Sequence, residues 1–177
     1  MGVFVSFFYL STYARTQQGM TYIESLDLLL VLKGIGFVGR LLPGLIARFI
    51  GTMTVFIASL LLSSLSMYTW IAVHDTSGLY AWAAFYSVFI GGVQSLLPAA
   101  ISVSNPDLQK LGSRMGIIFA SVGVGALIGS PIAGILITGA DRSYIGAQAF
   151  SGSSLLVGAL LTHVSQEIKR RKKHARP

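Results

Sequence analysis

The chain has 177 residues, 53% hydrophobic and only 11% charged, with a net charge of +7. Average soluble domains hold about 25% charged residues, so this composition, with a mean hydropathy of +0.71, excludes a water-covered globule and points to an integral membrane protein. The absence of cysteine excludes a disulfide framework and a thiolate metal site. No His or acidic cluster has metal-ligand spacing and no glycine-rich phosphate loop occurs, so neither a metal nor another cofactor is expected.

Residues 1–14 are apolar, but they rise only about 21 Å against about 30 Å of hydrocarbon. They lack the positive n-region of a signal peptide and read as the end of a helix whose start is missing. After a polar loop at residues 15–20, Thr21 offers a helix cap with Glu24 three residues on, a capping box, and residues 22–43 read as an apolar helix. Residues 44–51 read as a short basic turn, 52–73 as a span, 74–77 as a polar loop and 78–103 as a span containing Gly91, Gly92 and Pro98. A polar loop at 105–114 precedes a span at 115–138. A polar stretch at 141–144 precedes the last span at 146–164. The expected fold is all-α and polytopic: a six-helix half-domain over residues 1–166, its first helix truncated, then a basic tail over residues 167–177.

Charge placement sets an orientation. Lys169, Arg170, Arg171, Lys172, Lys173 and Arg176 crowd the C-terminus, and a basic tail after a membrane helix is normally cytoplasmic. Alternating loops then put Arg40, Arg48, Lys110, Arg114 and the six tail cations inside, against Arg15 and Arg142 outside. The tail is also suited to anionic lipid. Similar basic runs occur in nucleic-acid-binding segments, but beside membrane helices no nucleic-acid partner is expected.

Lys33 and Arg40 lie inside an apolar helix, seven residues apart. Seven residues is close to two turns, which places both on one face about 10 Å apart. A charge in a bilayer costs roughly 2.5–3.5 kcal/mol on insertion scales, so such residues mark a substrate or ion path. Beyond Glu24 and Asp27 at the start of residues 22–43, no acidic residue falls within these apolar runs, and the negative partner is expected to come from an anionic substrate or from another bundle of helices.

Three stretches carry a family likeness: Gly39-Arg40-Leu41-Leu42-Pro43-Gly44; Asn105-Pro106-Asp107-Leu108 with Gly112-Ser113-Arg114-Met115-Gly116; and Gly125-Ala126-Leu127-Ile128-Gly129-Ser130-Pro131-Ile132-Ala133-Gly134. Together they resemble the C-terminal half of fungal monocarboxylate-transporter-like proteins of the major facilitator superfamily, along the whole chain. The resemblance implies twelve helices in two six-helix halves, of which these spans correspond to helices seven to twelve. Two departures stand out. The superfamily's loop motif usually has an acid where Arg48 stands, within Gly44 to Gly51. Animal members have an Asp one turn before the Arg that matches Arg40, where this chain has Gly36.

Each candidate has a functional and a structural reading. Arg40 suits bidentate binding of a substrate carboxylate or snorkels to the cytoplasmic interface. Lys33 is a second anion contact or an adventitious charge. Gln94 faces the cavity or bonds a neighbouring helix. Tyr9 lines the cavity or, like Tyr13, sits in the interfacial aromatic belt. The small-residue stripe of Gly125, Gly129 and Ala133, with Pro131 and Gly134 beside it, serves helix packing or a rocking motion. Gly44, Arg48 and Gly51 form the cytoplasmic loop motif. An intramembrane protease is weakly suggested by Gly152-Ser153-Ser154-Leu155, but His163 lies nine residues on, on the opposite helix face.

The expected function is secondary transport, by alternating access, of small organic anions: monocarboxylates, with proton symport, at the plasma membrane. The expected partners are the anionic substrate, the lipid bilayer, and an N-terminal six-helix half or a second copy. The alternative is a truncated, non-transporting membrane fragment or regulatory subunit. No enzymatic activity is expected.

Overall fold

The computed structural model describes residues 10, 12, 14, 21–73, 75–104, 108–139 and 144–174. Among them are five long helices and no strand: α1 (Tyr22–Ile50), α2 (Thr52–Trp70), α3 (Thr76–Ser104), α4 (Leu111–Gly139) and α5 (Ile145–His174), with a 3₁₀ turn at Leu108–Lys110 before α4. All five are long and apolar enough to cross a membrane. The first expected span, residues 1–14, lies almost wholly outside the described residues; of it, Leu10 and Ala14 are buried in the core.

The capping box is present. The Thr21 backbone N–H donates to Glu24 Oε2 at 2.8 Å, and the Glu24 N–H donates to Thr21 Oγ1 at 3.4 Å, so two of the orphan donors at the start of α1 are met. The expected turn at residues 44–51 is corrected: α1 runs through Pro43 and Gly44 to Ile50. Pro43 lacks the N–H for one helical bond, but its ring packs close to α3, because a Cβ at Gly92 would lie 2.7 Å from Pro43 Cγ. The break falls at Gly51, whose φ of 99° is rarely adopted by side-chain-bearing residues. Its N–H donates to the Ala47 carbonyl at 3.0 Å, and its own carbonyl accepts from Val55 at 3.2 Å. One residue therefore ends α1 and starts α2.

Other boundaries also shift. Helix α4 starts four residues earlier than expected and α3 two residues earlier. The basic tail is helical through His174, with Glu167 and Arg171 paired at 3.5 Å one turn apart. Lys and Arg are good helix formers, so the apolar run ends without ending the helix.

Helix α1 packs chiefly on α3, α2 lies between α3 and α5, and α4 leans mainly on α5. The α2–α3 seam holds Trp70, Trp82 and Tyr86 in a stack with ring centroids 4.4 and 5.1 Å apart. Trp82 Nε1 donates to the Ser66 carbonyl at 2.6 Å. Across the α2–α5 seam, Ser64 Oγ donates to the Gly152 carbonyl at 2.8 Å. These are the small, polar contacts that join helices where lipid removes the hydrophobic drive.

Candidate site at the α1–α3 seam

The buried residues of α1 are Ser25, Leu28, Leu32, Gly39, Pro43 and Ala47, a single stripe at helical spacing. Lys33 and Arg40 each follow a buried member of it, so both stand about 100° round the helix, on one flank of the seam. Facing them, α3 presents Ser87, Ile90, Gly91 and Gln94. Together with Leu32 and Gly36, these residues line a shallow, open cleft. Arg40 Nη2 donates to Gln94 Oε1 at 2.8 Å. Ser87 is buried, and its hydroxyl donates to the Ala83 carbonyl of its own helix.

Glycine makes this approach possible. A Cβ at Gly39 would lie 2.6 Å from Val88 Cα, and one at Gly91 would lie 2.8 Å from the Gly36 carbonyl oxygen and 3.1 Å from the Arg40 nitrogen. The obstacles are backbone atoms and cannot swing away. The two helices therefore cross at the step that carries Arg40, which brings its guanidinium within reach of Gln94. In sequence, α1 holds Glu24 and Asp27 near its start, Asp75 precedes α3 and Asp107 follows it, and residues 28–74 and 76–106 contain no acid. Arg40 thus rests on a neutral amide oxygen that occupies one of its five donors.

The structure brings Arg40, Lys33 and Gln94 together. Tyr9 and Tyr13 lie outside the described residues. Gly44 and Arg48, expected on a loop, lie in the last turns of α1, where Arg48 complements the helix dipole; Gly51 is the break itself. In α4, Gly129 and Ala133 are buried, Gly125 and Gly134 are half-buried, and Pro131 is exposed within a continuous helix. Ser87 was missed in sequence, although it precedes Gln94 by the same seven residues that separate Lys33 from Arg40. The Gly39–Gly91 crossing was missed as well. On the other flank of α1 an apolar groove runs past Leu42, Ile46, Val55, Leu62 and Phe89; it presents no polar group to a substrate.

The protease reading gains nothing from the geometry. The Ser154 hydroxyl donates to the Phe150 carbonyl at 2.8 Å, and His163 is exposed further along the same helix. Among the described residues no group of three or more His, Cys, Asp or Glu side chains could hold a metal ion.

No protein-family model matches the chain. Individual relatives do. The chain is 38% identical over 158 residues to an MFS-type transporter of Gibberella zeae, covering 88% of this chain and 36% of the relative. It is 32% identical over 167 residues to an MFS-type transporter of Aspergillus niger, covering 94% of this chain and 38% of the relative. It is 29% identical over 161 residues to the aspyridones efflux protein of Emericella nidulans, covering 91% of this chain and 33% of the relative. Each of these is named as a transporter or efflux protein rather than an enzyme. The chain spans little more than one-third of the length of these curated relatives. Similarity to fungal MFS-type transporters over about nine-tenths of its residues, with five membrane-length helices, supports the membership of this integral membrane chain in the major facilitator superfamily.

Proposed function

We propose that this chain forms part of a secondary carrier for small organic anions, with Arg40 on the substrate path. The observation that carries the reading is the Arg40 guanidinium lining the α1–α3 cleft and held by Gln94 at 2.8 Å, with no acid in α1 beyond Asp27 and none in α3. A carboxylate entering the cleft would supply the charge that the chain omits. Monocarboxylates are the simplest substrates of that class. The aspyridones efflux protein among the relatives favours export of a larger organic acid as the alternative cargo. Proton symport would need an acid from outside residues 28–74 and 76–106, which contain none.

In this reading the six spans are the C-terminal half of a twelve-helix carrier. Substrate sits between two halves, and rocking alternates its access. The exposed apolar side chains of α1, among them Leu30, Phe37, Leu41 and Leu45, suit contact with lipid and with an N-terminal half or a second copy. The basic end of α5 suits a cytoplasmic position at the plasma membrane.

The test is uptake of labelled lactate and succinate into vesicles holding the inserted chain, with Arg40→Ala as control. Saturable uptake that Arg40→Ala abolishes supports the proposal. Absence of saturable uptake of either acid by correctly inserted chain favours the non-transporting fragment or regulatory subunit.

A further inference from the structure

We propose that Gln94 is the positioning residue of the carrier site: it fixes the Arg40 guanidinium with an uncharged acceptor, so that the arginine is oriented for an anion while its charge is kept. This rests on the carrier reading above and concerns the same site. Arg40 Nη2 donates to Gln94 Oε1 at 2.8 Å. A guanidinium only donates, so the amide must turn its oxygen toward it, and one of the five donors is used. The backbone sets this bond. Gly91 lies about one turn before Gln94, and a Cβ there would stand 3.1 Å from the Arg40 backbone nitrogen. Residues three apart on a helix are neighbours on its surface, so Gln94 stands on the face of α3 that meets α1 beside Arg40. Ser87, the other polar residue of α3 along the cleft, turns its hydroxyl to the Ala83 carbonyl of its own helix.

The neutrality of the anchor decides what the site can bind. Helices α2 and α3 carry no charged residue, and α1 beyond Asp27 carries Lys33, Arg40 and Arg48 alone. A glutamate at position 94 would have the same shape and reach, and would hold the guanidinium as an ion pair. An incoming carboxylate would then compete with one already tethered at the site, and the Arg40 charge would no longer draw it in. An apolar residue at position 94 fails in the opposite way. The exposed Arg40 side chain would lose its fixed geometry and be free to snorkel toward water, and an anion would have to order it on binding.

The test measures binding of labelled lactate to the full chain in lipid nanodiscs, with thermal unfolding of the same samples. Gln94→Met should bind about tenfold more weakly, the loss expected of one hydrogen bond to a charged group. Gln94→Glu should bind about a hundredfold more weakly, yet melt no lower than the parent, because the Arg40 charge gains a partner within the membrane. A residue that only joined α1 to α3 would lose binding in step with melting, so the separation of the two readouts reports the positioning role. Binding equal to the parent in either variant, or a loss in Gln94→Glu that comes with lower melting, overturns the proposal. If Arg40→Ala still abolishes binding in that case, the anion carrier stands. No saturable binding of lactate by the parent chain overturns both.

Discussion

Gly39 and Gly34 lie on the same helix, five residues apart, and the structure predicts opposite outcomes for the same added methyl group. A Cβ at Gly39 would stand 2.6 Å from Val88 Cα, 2.8 Å from the Val88 carbonyl oxygen and 2.9 Å from that of Ser87, whereas one at Gly34 meets nothing within 4 Å. Reaching even the tight end of ordinary contact requires α1 and α3 to part by about 0.8 Å, since the repulsion is steep and all three obstacles are backbone. Overpacking of this kind costs about 1–3 kcal/mol. The same displacement would stretch the Arg40–Gln94 bond from 2.8 Å to beyond about 3.5 Å, where it no longer counts as a hydrogen bond. Gly34→Ala instead gains about 0.5–1 kcal/mol from helix propensity. The assay is thermal unfolding of the two variants in detergent, followed by circular dichroism, with binding of labelled lactate as a second readout. Gly39→Ala should melt lower than the parent and bind less; Gly34→Ala should melt at or above it and bind normally. Equal melting of the two variants would refute the close α1–α3 crossing.

Three further outcomes follow from seams away from the cleft. Ser64→Ala removes the 2.8 Å bond to the Gly152 carbonyl; interhelical bonds of this type average about 0.6 kcal/mol in membranes, so the loss of denaturation stability should be small. Trp82→Phe keeps a ring in the aromatic stack and removes the 2.6 Å bond to the Ser66 carbonyl, which still accepts from Thr69 Oγ1 at 2.8 Å, and should cost about 0.5–1.5 kcal/mol in the same assay. Gly51→Ala forces a side chain onto a φ of 99° with open space around it; a cost of about 1–3 kcal/mol there measures backbone conformation alone.

Polar residues in apolar runs were legible from sequence because they are conspicuous. Arg40, Lys33 and Gln94 stood out in this way, and a seven-residue spacing fixed the shared flank of the two cations. The capping box at Thr21 was legible for the same local reason. The end of α1 was not. Pro43 and Gly44 look like a stop, because proline normally breaks a helix interior, but the Pro43 ring packs beside Gly92 on α3, and that tertiary contact has no signature in α1. Gly51, which does end the helix, is an ordinary glycine until its φ is known. The Gly39–Gly91 crossing was hidden because sequence spacing tells which residues share a face but not which helix faces them. The glycines of α4 made the more regular pattern, yet the backbone approach that positions Arg40 comes from Gly39 and Gly91.

Arg40 can lie on an anion path only if the flank of α1 that carries it and Lys33 meets water and substrate rather than lipid. The chain contains no cysteine, so a single introduced thiol reports its own surroundings. Gly36→Cys places that thiol in the cleft, where a Cβ would lie 3.8 Å from the Ser87 carbonyl oxygen, an ordinary contact. Val38→Cys places it on the opposite flank, at a residue 50% exposed. A charged, membrane-impermeant thiol reagent applied to the reconstituted chain should modify the thiol at position 36, be slowed there by lactate, and leave the thiol at position 38 untouched. Equal protection of both positions would contradict the account, because the α1–α3 cleft would then face lipid and Arg40 could not lie on an anion path.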